Sequence, residues 1–309
     1  MPRFGLCCIF KDQDIKFRQT TAKYLGKLPR QDQLARLAEI CLSNAQSLHK
    51  ALVFCRDNGI GNFRINSQIL PLKTHPLAGY TVHDLPYADR IIEAFMACGQ
   101  FCHDNDIRTG FHPDQFIVLS SPTPDVVSRS VADLVYQAEV AQWVGADVIN
   151  IHGGGVYGDK PSALARLTEQ IRRLPGPVRS RLTLENDDRS YTPQDLLPVC
   201  RETGIPLVYD VHHHRCLPDG LSVEEATREA LSTWDREPLF HISSPRDGWQ
   251  GANPRKHHDF IDPGDVPPEW AGLDNITIEV EAKAKEVAVL RLIRDMKKAL
   301  PGIVPDRAL

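Results

Sequence analysis

The chain has 309 residues, 42% hydrophobic and 25% charged, an ordinary globular composition long enough for one large α/β domain or two smaller ones. Its net charge of −4 argues against a broadly basic nucleic-acid surface, although three divalent ions gathered by its acids would turn that total to +2. Eight cysteines with no Cys-x-x-Cys spacing exclude zinc fingers, and no apolar run is long enough for a membrane span.

A core of this size needs no disulfides, so the cysteines are expected to be reduced and the compartment cytoplasmic. The opening MPRFGLCCIFKD lacks a signal-peptide pattern. Strand-like runs come at 3–10, 62–70, 108–113, 147–153, 182–187, 207–213, 239–244 and 276–283. Helix-like stretches lie between them at 30–59, 84–105, 123–145, 160–174, 192–204 and 222–234, and another closes the chain at 284–302. Thr-Pro, Pro-Asp and Ser-Val-Glu-Glu starts read as helix caps. Eight strands with a helix after most of them predict a (β/α)₈ TIM barrel, taken as one domain over 1–309. The exception follows strand seven: 245–273 is rich in Pro, Gly, Arg and His, with no convincing helix. Loops that long inside a compact fold are usually functional.

In such a barrel the active site lies at the C-terminal ends of the strands. Strand two ends toward His75, strand three at His112, and strand four at His152 before Gly153-Gly154-Gly155. Strand five ends at Glu185, and strand six at Asp210 followed by His212, His213 and His214. Strand seven ends at His241 and its long loop carries His257 and His258; strand eight ends with Glu279 and Glu281. A lone strand-end histidine is more often structural than a ligand. Carboxylates inside apolar runs such as LTLEN and ITIEVEAK are costly to bury without a partner. So many imidazoles and carboxylates on one rim predict a multi-metal site, with Glu185 and Asp210 as natural bridges, and mixed ligands of this kind suit Zn, Mn or Fe. Two or three ions close together can hold a phosphodiester and drive its hydrolysis. No P-loop, Gly-x-Ser-x-Gly elbow or dinucleotide fingerprint offers another route.

The segments RFGLCCIF with KFRQTTAKYL, FRINSQILPLKTHP, FHPDQFIVLSSP, NIHGGGVYGDK, LTLENDDRSYTPQDLL, VYDVHHH, FHISSPR, HHDFID and EAKAKEVAVL resemble the ultraviolet damage endonuclease family over nearly the whole chain. The same barrel also supports endonuclease IV and xylose isomerase-like enzymes, so shared fold alone does not choose a function.

The resemblance implies an endonuclease, expected to be monomeric, that nicks duplex DNA immediately 5′ to a UV photoproduct. It would leave a 3′-hydroxyl and a 5′-phosphate, use no nucleotide cofactor and touch no membrane. Carried onto matching positions, it implies His75, His112, His152, Glu185, Asp210, His213, His241, His257 and Glu281 as ligands of two to three divalent ions. Mn²⁺ comes first, with Mg²⁺, Zn²⁺ or Co²⁺ as alternatives, and Glu185, Asp210, Glu281 and His241 carry the chemistry. Strict strand alternation puts His212 rather than His213 on the face of Asp210, so the family assignment requires the strand to turn there. His257 is preferred to His258 on the family's His-x-Asp-aromatic pattern, and Glu281 to Glu279 because it opens Glu-Ala-Lys. Gln115 and Phe116 match a pair that in the family wedges into damaged duplex, although Phe116 also reads as the first core residue of FIVL. Unstacking is least costly where a photoproduct has already weakened the stack. Among rim cations at Lys11, Lys16, Arg18, Arg189, Arg215, Arg246, Arg255 and Lys256, the last three are the favoured phosphate contacts.

Two departures stand out. Leu6 replaces a frequent tyrosine, and Leu239 replaces a lysine that in the family can be carboxylated and bridge metals. A missing bridging anion predicts fewer or weaker ions. A sugar isomerase or epimerase of the same barrel class, with a small closed pocket, and a damage-binding protein with weakened catalysis are the alternatives.

Overall fold

The computed structural model describes residues 2–299. Its eight strands are β1 (Arg3–Cys7), β2 (Asn62–Ile65), β3 (Arg108–Phe111), β4 (Val148–His152), β5 (Leu182–Glu185), β6 (Leu207–Asp210), β7 (Leu239–Ile242) and β8 (Thr277–Val280). They pair in parallel in chain order and close on themselves, β8 against β1, which is the expected barrel. Each strand is shorter than its apolar run. Asn66 ends β2 by accepting the Gln68 N–H (2.8 Å), and Cys8 ends β1 in the left-handed region at φ 64°.

Ten α-helices accompany the described strands: α1 (Ala22–Leu25), α2 (Arg30–Asp57), α3 (Ala88–Asp104), α4 (Pro124–Val144), α5 (Lys160–Arg173), α6 (Gly176–Arg179), α7 (Pro193–Thr203), α8 (Val211–Cys216), α9 (Val223–Leu231) and α10 (Glu286–Ala299). The expected caps are present: Thr192 with Asp195 and Ser222 with Glu225 form capping boxes that satisfy orphan N–H groups at both ends of the pair. Gly204 stops α7 at φ 71°, where a side chain would be strained. The segment after β7 holds only two 3₁₀ turns, Pro263–Asp265 and Pro268–Gly272. The positions 300–302 of the last expected helix lie outside the described residues. No described helix is long and apolar enough to cross a membrane, and all eight cysteines are free thiols.

Side chains alternate across each strand, and the apolar residues divide accordingly. Leu6, Phe63, Phe111, Ile149, Ile151, Leu184, Tyr209, Phe240 and Ile278 join one core between barrel and helices. Val148, Val208 and Leu239 form a separate small cluster beside Trp234, the apolar plug of the lumen. Leu239 is therefore a packing residue beneath the rim. Leu6 is fully buried in the outer core. The remaining lumen positions are polar, and Gly5 makes room for them: a Cβ there would lie 2.5 Å from Asn62 Nδ2 and 3.1 Å from Glu279 Cγ.

Candidate metal centre and active site

The polar lumen opens at the C-terminal rim into a buried cluster centred on Glu185, the last residue of β5. His241 Nδ1 lies 3.1 Å from Glu185 Oε1 and 3.5 Å from Glu281 Oε1. His213 Nδ1 is 3.4 Å from Glu185 Oε1 and 3.5 Å from Asp210 Oδ2. His112 Nε2 is 3.6 Å from Glu185 Oε2, and the His112 and His152 rings are 5.0 Å apart. Three sets of side chains could each hold a metal ion: His112, His152 and Glu185; His112, His241 and Glu281; Glu185, Asp210 and His213.

The choice between His212 and His213 follows from local structure. Asp210 caps α8 by accepting the His213 N–H (2.8 Å), so the chain turns immediately after β6. One helical turn then returns His213 to the cluster. His212 joins none of the three sets; its ring lies 5.1 Å from that of His257 and 5.2 Å from that of Trp249. His257 stands at the edge, with Nδ1 3.8 Å from Glu281 Oε2. His258 instead accepts the Phe260 N–H at Nδ1 (2.9 Å). His75 is not brought into any of the three sets. Its Nδ1 accepts the N–H groups of Leu77 and Ala78 (both 3.2 Å).

Four residues reach this centre that sequence reasoning missed or set aside. Arg64 of β2 places Nη1 2.8 Å from His112 Nδ1, 2.7 Å from Glu281 Oε1 and 3.3 Å from Glu279 Oε2. Asn150 donates to Glu185 Oε2 and accepts from Thr183 (3.0 Å). Asn62 donates to Glu279 Oε1 (3.0 Å). Glu279 lies below the cluster rather than in it, its Oε2 3.1 Å from His241 Nε2. The signal was present in parity: Asn62 and Arg64 alternate along β2, and Asn150 precedes His152 by two, so each faces the lumen.

The electrostatics follow from burial. Desolvation alone would raise the Glu185 carboxyl, but His241, His152 and His112 outweigh it and hold it well below the usual range. Burial disfavours a charged His241, yet Glu185 and Glu279 hold its pKa well above the ordinary value. Asp210 and Glu185 do the same for His213. Burial, reinforced by the Arg64 guanidinium and its histidine neighbours, pushes His112 down to about 3 despite Glu185. His112 is therefore a neutral imidazole, as a metal ligand must be. His152 Nδ1 and Asp210 Oδ2 are buried without a hydrogen-bond partner, although such atoms are normally satisfied. Orphaned nitrogen and oxygen donors beside three buried carboxylates and the partly exposed Glu281, with the Arg64 guanidinium among them, fit bound divalent cations.

The loop after β3 presents the other expected residues. Phe116 is 74% exposed, whereas Ile117 and Leu119 are buried. Of the two readings of Phe116, the core one does not hold: Asp114 accepts the Phe116 N–H (3.3 Å) and its carbonyl the Ile117 N–H (3.0 Å), and the turn throws the ring outward. Gln115 beside it is also exposed. Arg246 is held by Asp247 (2.6 Å). Arg255 Nε donates to the Asp188 carbonyl (2.9 Å), and Arg215 Nη1 to that of Asp265 (2.7 Å).

Fold and site together define a parallel (β/α)₈ barrel with a histidine–carboxylate centre suited to divalent ions at the strand ends. The family model described as UV-endonuclease UvdE matches residues 2–304. A UV DNA damage endonuclease of Deinococcus radiodurans is 33% identical over 96% of this chain and 97% of its own. One from Bacillus velezensis is 33% identical over 92% of this chain and 89% of its own. The crystal structure of SacUVDE superposes with a TM-score of 0.86 at 28% identity, covering 97% of this chain and 99% of that one. The chain belongs to the UV-endonuclease UvdE family.

Proposed function

We propose that this chain is a metal-dependent endonuclease that nicks duplex DNA immediately 5′ to UV photoproducts, both cyclobutane dimers and 6-4 photoproducts, leaving a 3′-hydroxyl and a 5′-phosphate. The observation that carries it is the buried rim cluster around Glu185, with the exposed Gln115–Phe116 tip on the loop that begins at His112. Glu185, Asp210, Glu281, His112, His152, His213 and His241 would hold divalent ions, Mn²⁺ first, with His257 at the edge. Bound there, such ions would activate water as a nucleophile and neutralise the charge that builds on the phosphate.

The chain's own residues set the conditions. Asn150 orients Glu185, and Arg64 neutralises part of the Glu279–Glu281 charge. Phe116 offers an apolar wedge where stacking is already weakened, which selects damage without reading sequence. Lys256, with Arg246 and Arg255, would hold backbone phosphates. A sugar epimerase needs a small closed pocket. The cavity beside Glu281 is instead open and rimmed by lysines.

The test is a nicking assay on a duplex carrying one cyclobutane dimer, with manganese, with chelator, and against an undamaged duplex. Cleavage just 5′ to the dimer, lost with chelator and absent from the control, is expected. Binding without cleavage would support weakened catalysis, and neither would remove the repair function.

A further inference from the structure

Beside Glu281 and His257 a cavity of about 250 Å³ opens outward, lined also by Arg64, Lys256, Lys283 and Lys285. Its far wall is the segment between β8 and α10. The Lys283 N–H donates to the His258 carbonyl (3.1 Å) and the Ala284 N–H to the Asp259 carbonyl (3.0 Å), which ties this wall to the long loop after β7. Lys285 stands in the left-handed region at φ 52°. That conformation is unfavourable for a side-chain-bearing residue, and such strain gathers at functional sites. The next residue, Glu286, is buried and accepts the N–H groups of Lys11 (2.7 Å) and Asp12 (2.6 Å), so the strained turn is braced from both sides.

The three lysines differ from the arginines of the same rim. Arg246 and Arg255 already face carboxylates, Asp247 and Asp188, with which a phosphate would have to compete. None of Lys256, Lys283 and Lys285 is within ion-pair distance of a carboxylate among the described residues. Asp247, the acid that feels Lys256 and Lys283, is already bound to Arg246. Three uncommitted ammonium groups around one cavity, in a chain of net charge −4, call for an anion from outside.

We infer that Lys283 and Lys285, with Lys256, form a subsite for a backbone phosphate of the DNA strand, next to the Glu281 edge of the metal centre. This rests on the endonuclease function proposed above and extends it to Lys283 and Lys285, which the expected phosphate contacts did not include. Lysine suits the task as a compact point charge with three rotatable donors, which grips a phosphate without reading a base.

The experiment is a salt titration of DNA binding, followed by fluorescence anisotropy with a dimer-containing duplex in EDTA, so that no step depends on metal. The proteins are wild type, the Lys283→Gln/Lys285→Gln double variant, the Lys283→Arg/Lys285→Arg variant, and a Lys297→Gln/Lys298→Gln control in the last turn of α10. Each lost phosphate contact lowers the slope of log K against log salt by about 0.9. The glutamine variant should therefore lose between one and two units of slope and about tenfold or more in affinity near 150 mM salt. The arginine variant and the α10 control should keep both. If wild type nicks the damaged duplex but the glutamine variant binds with unchanged slope and affinity, the lysine subsite falls alone. If wild type neither binds in EDTA nor nicks in the manganese assay above, the proposed function falls and the subsite with it; nicking with manganese without binding in EDTA removes the subsite alone.

Discussion

Glu279 Oε2 lies 3.1 Å from His241 Nε2, while the opposite ring nitrogen of His241 faces Glu185 and Glu281. A carboxylate behind a histidine fixes the ring orientation and keeps the proton on the far nitrogen, so that the near one is available as a ligand; removing such a partner typically costs 10–100-fold in metal affinity. Glu279 is itself fixed by Asn62, in space that Gly5 leaves open. Glu279→Gln keeps the shape and removes the charge. It should weaken manganese binding by about 10–100-fold, read as free Mn²⁺ by electron paramagnetic resonance. Unchanged affinity would reduce Glu279 to a satisfied lumen residue.

Phe116→Ala should separate folding from recognition. The ring is 74% exposed, so the change in unfolding free energy should stay within about 0.5 kcal/mol. Base–aromatic stacking is worth about 1–3 kcal/mol, so preference for damaged over undamaged duplex should fall about tenfold or more. Competition binding measures it, and Phe116→Tyr should retain the preference.

The barrel was legible because period and count agree: eight apolar runs alternate with amphipathic stretches, and TPQD and SVEE start helices where expected. His112, His152, Glu185, Asp210, His241 and Glu281 were legible because each lies at or just beside the end of a strand. What failed was local geometry. Asp210 caps a helix that alternation treats as continued strand, which is why His212 and His213 exchange faces. Asp114 turns Phe116 outward although FIVL reads as core. His75 lies on a loop outside the three sets, and loop course is not written in periodicity. Arg64 was overlooked, and Glu279 set aside in favour of Glu281, for another reason: a charge in an apolar run signals a lumen partner, but only the closed barrel shows that the partners, from β2 and β8, meet in it.

Metal content should reflect Leu239. The side chain packs with Val148 and Val208 and offers no anion to bridge ions above it. Metal analysis of protein saturated with manganese and desalted should return fewer than three tight equivalents per chain; three would contradict this. Ligand saturation at a hundred times Kd stabilises a fold by about 2.7 kcal/mol, so EDTA should lower the melting temperature measurably.

A last expectation concerns acid stability away from the centre. Asp219 accepts the N–H groups of Gln194 (2.9 Å) and Leu221 (2.8 Å) and lies 3.0 Å from His214 Nε2. Burial opposes its charge, but these donors prevail and hold its carboxyl below the ordinary value. A depressed carboxyl contributes stability that is fully present above the unfolded pKa, about 3.9, and lost as pH falls through the folded value. Asp219→Asn should therefore cost about 1–3 kcal/mol near neutral pH, with the gap from wild type narrowing below about pH 4. Urea unfolding in chelator at pH 7, 5 and 3.5 measures it. A gap that stays constant with pH would mean that the shape of the side chain matters and its charge does not.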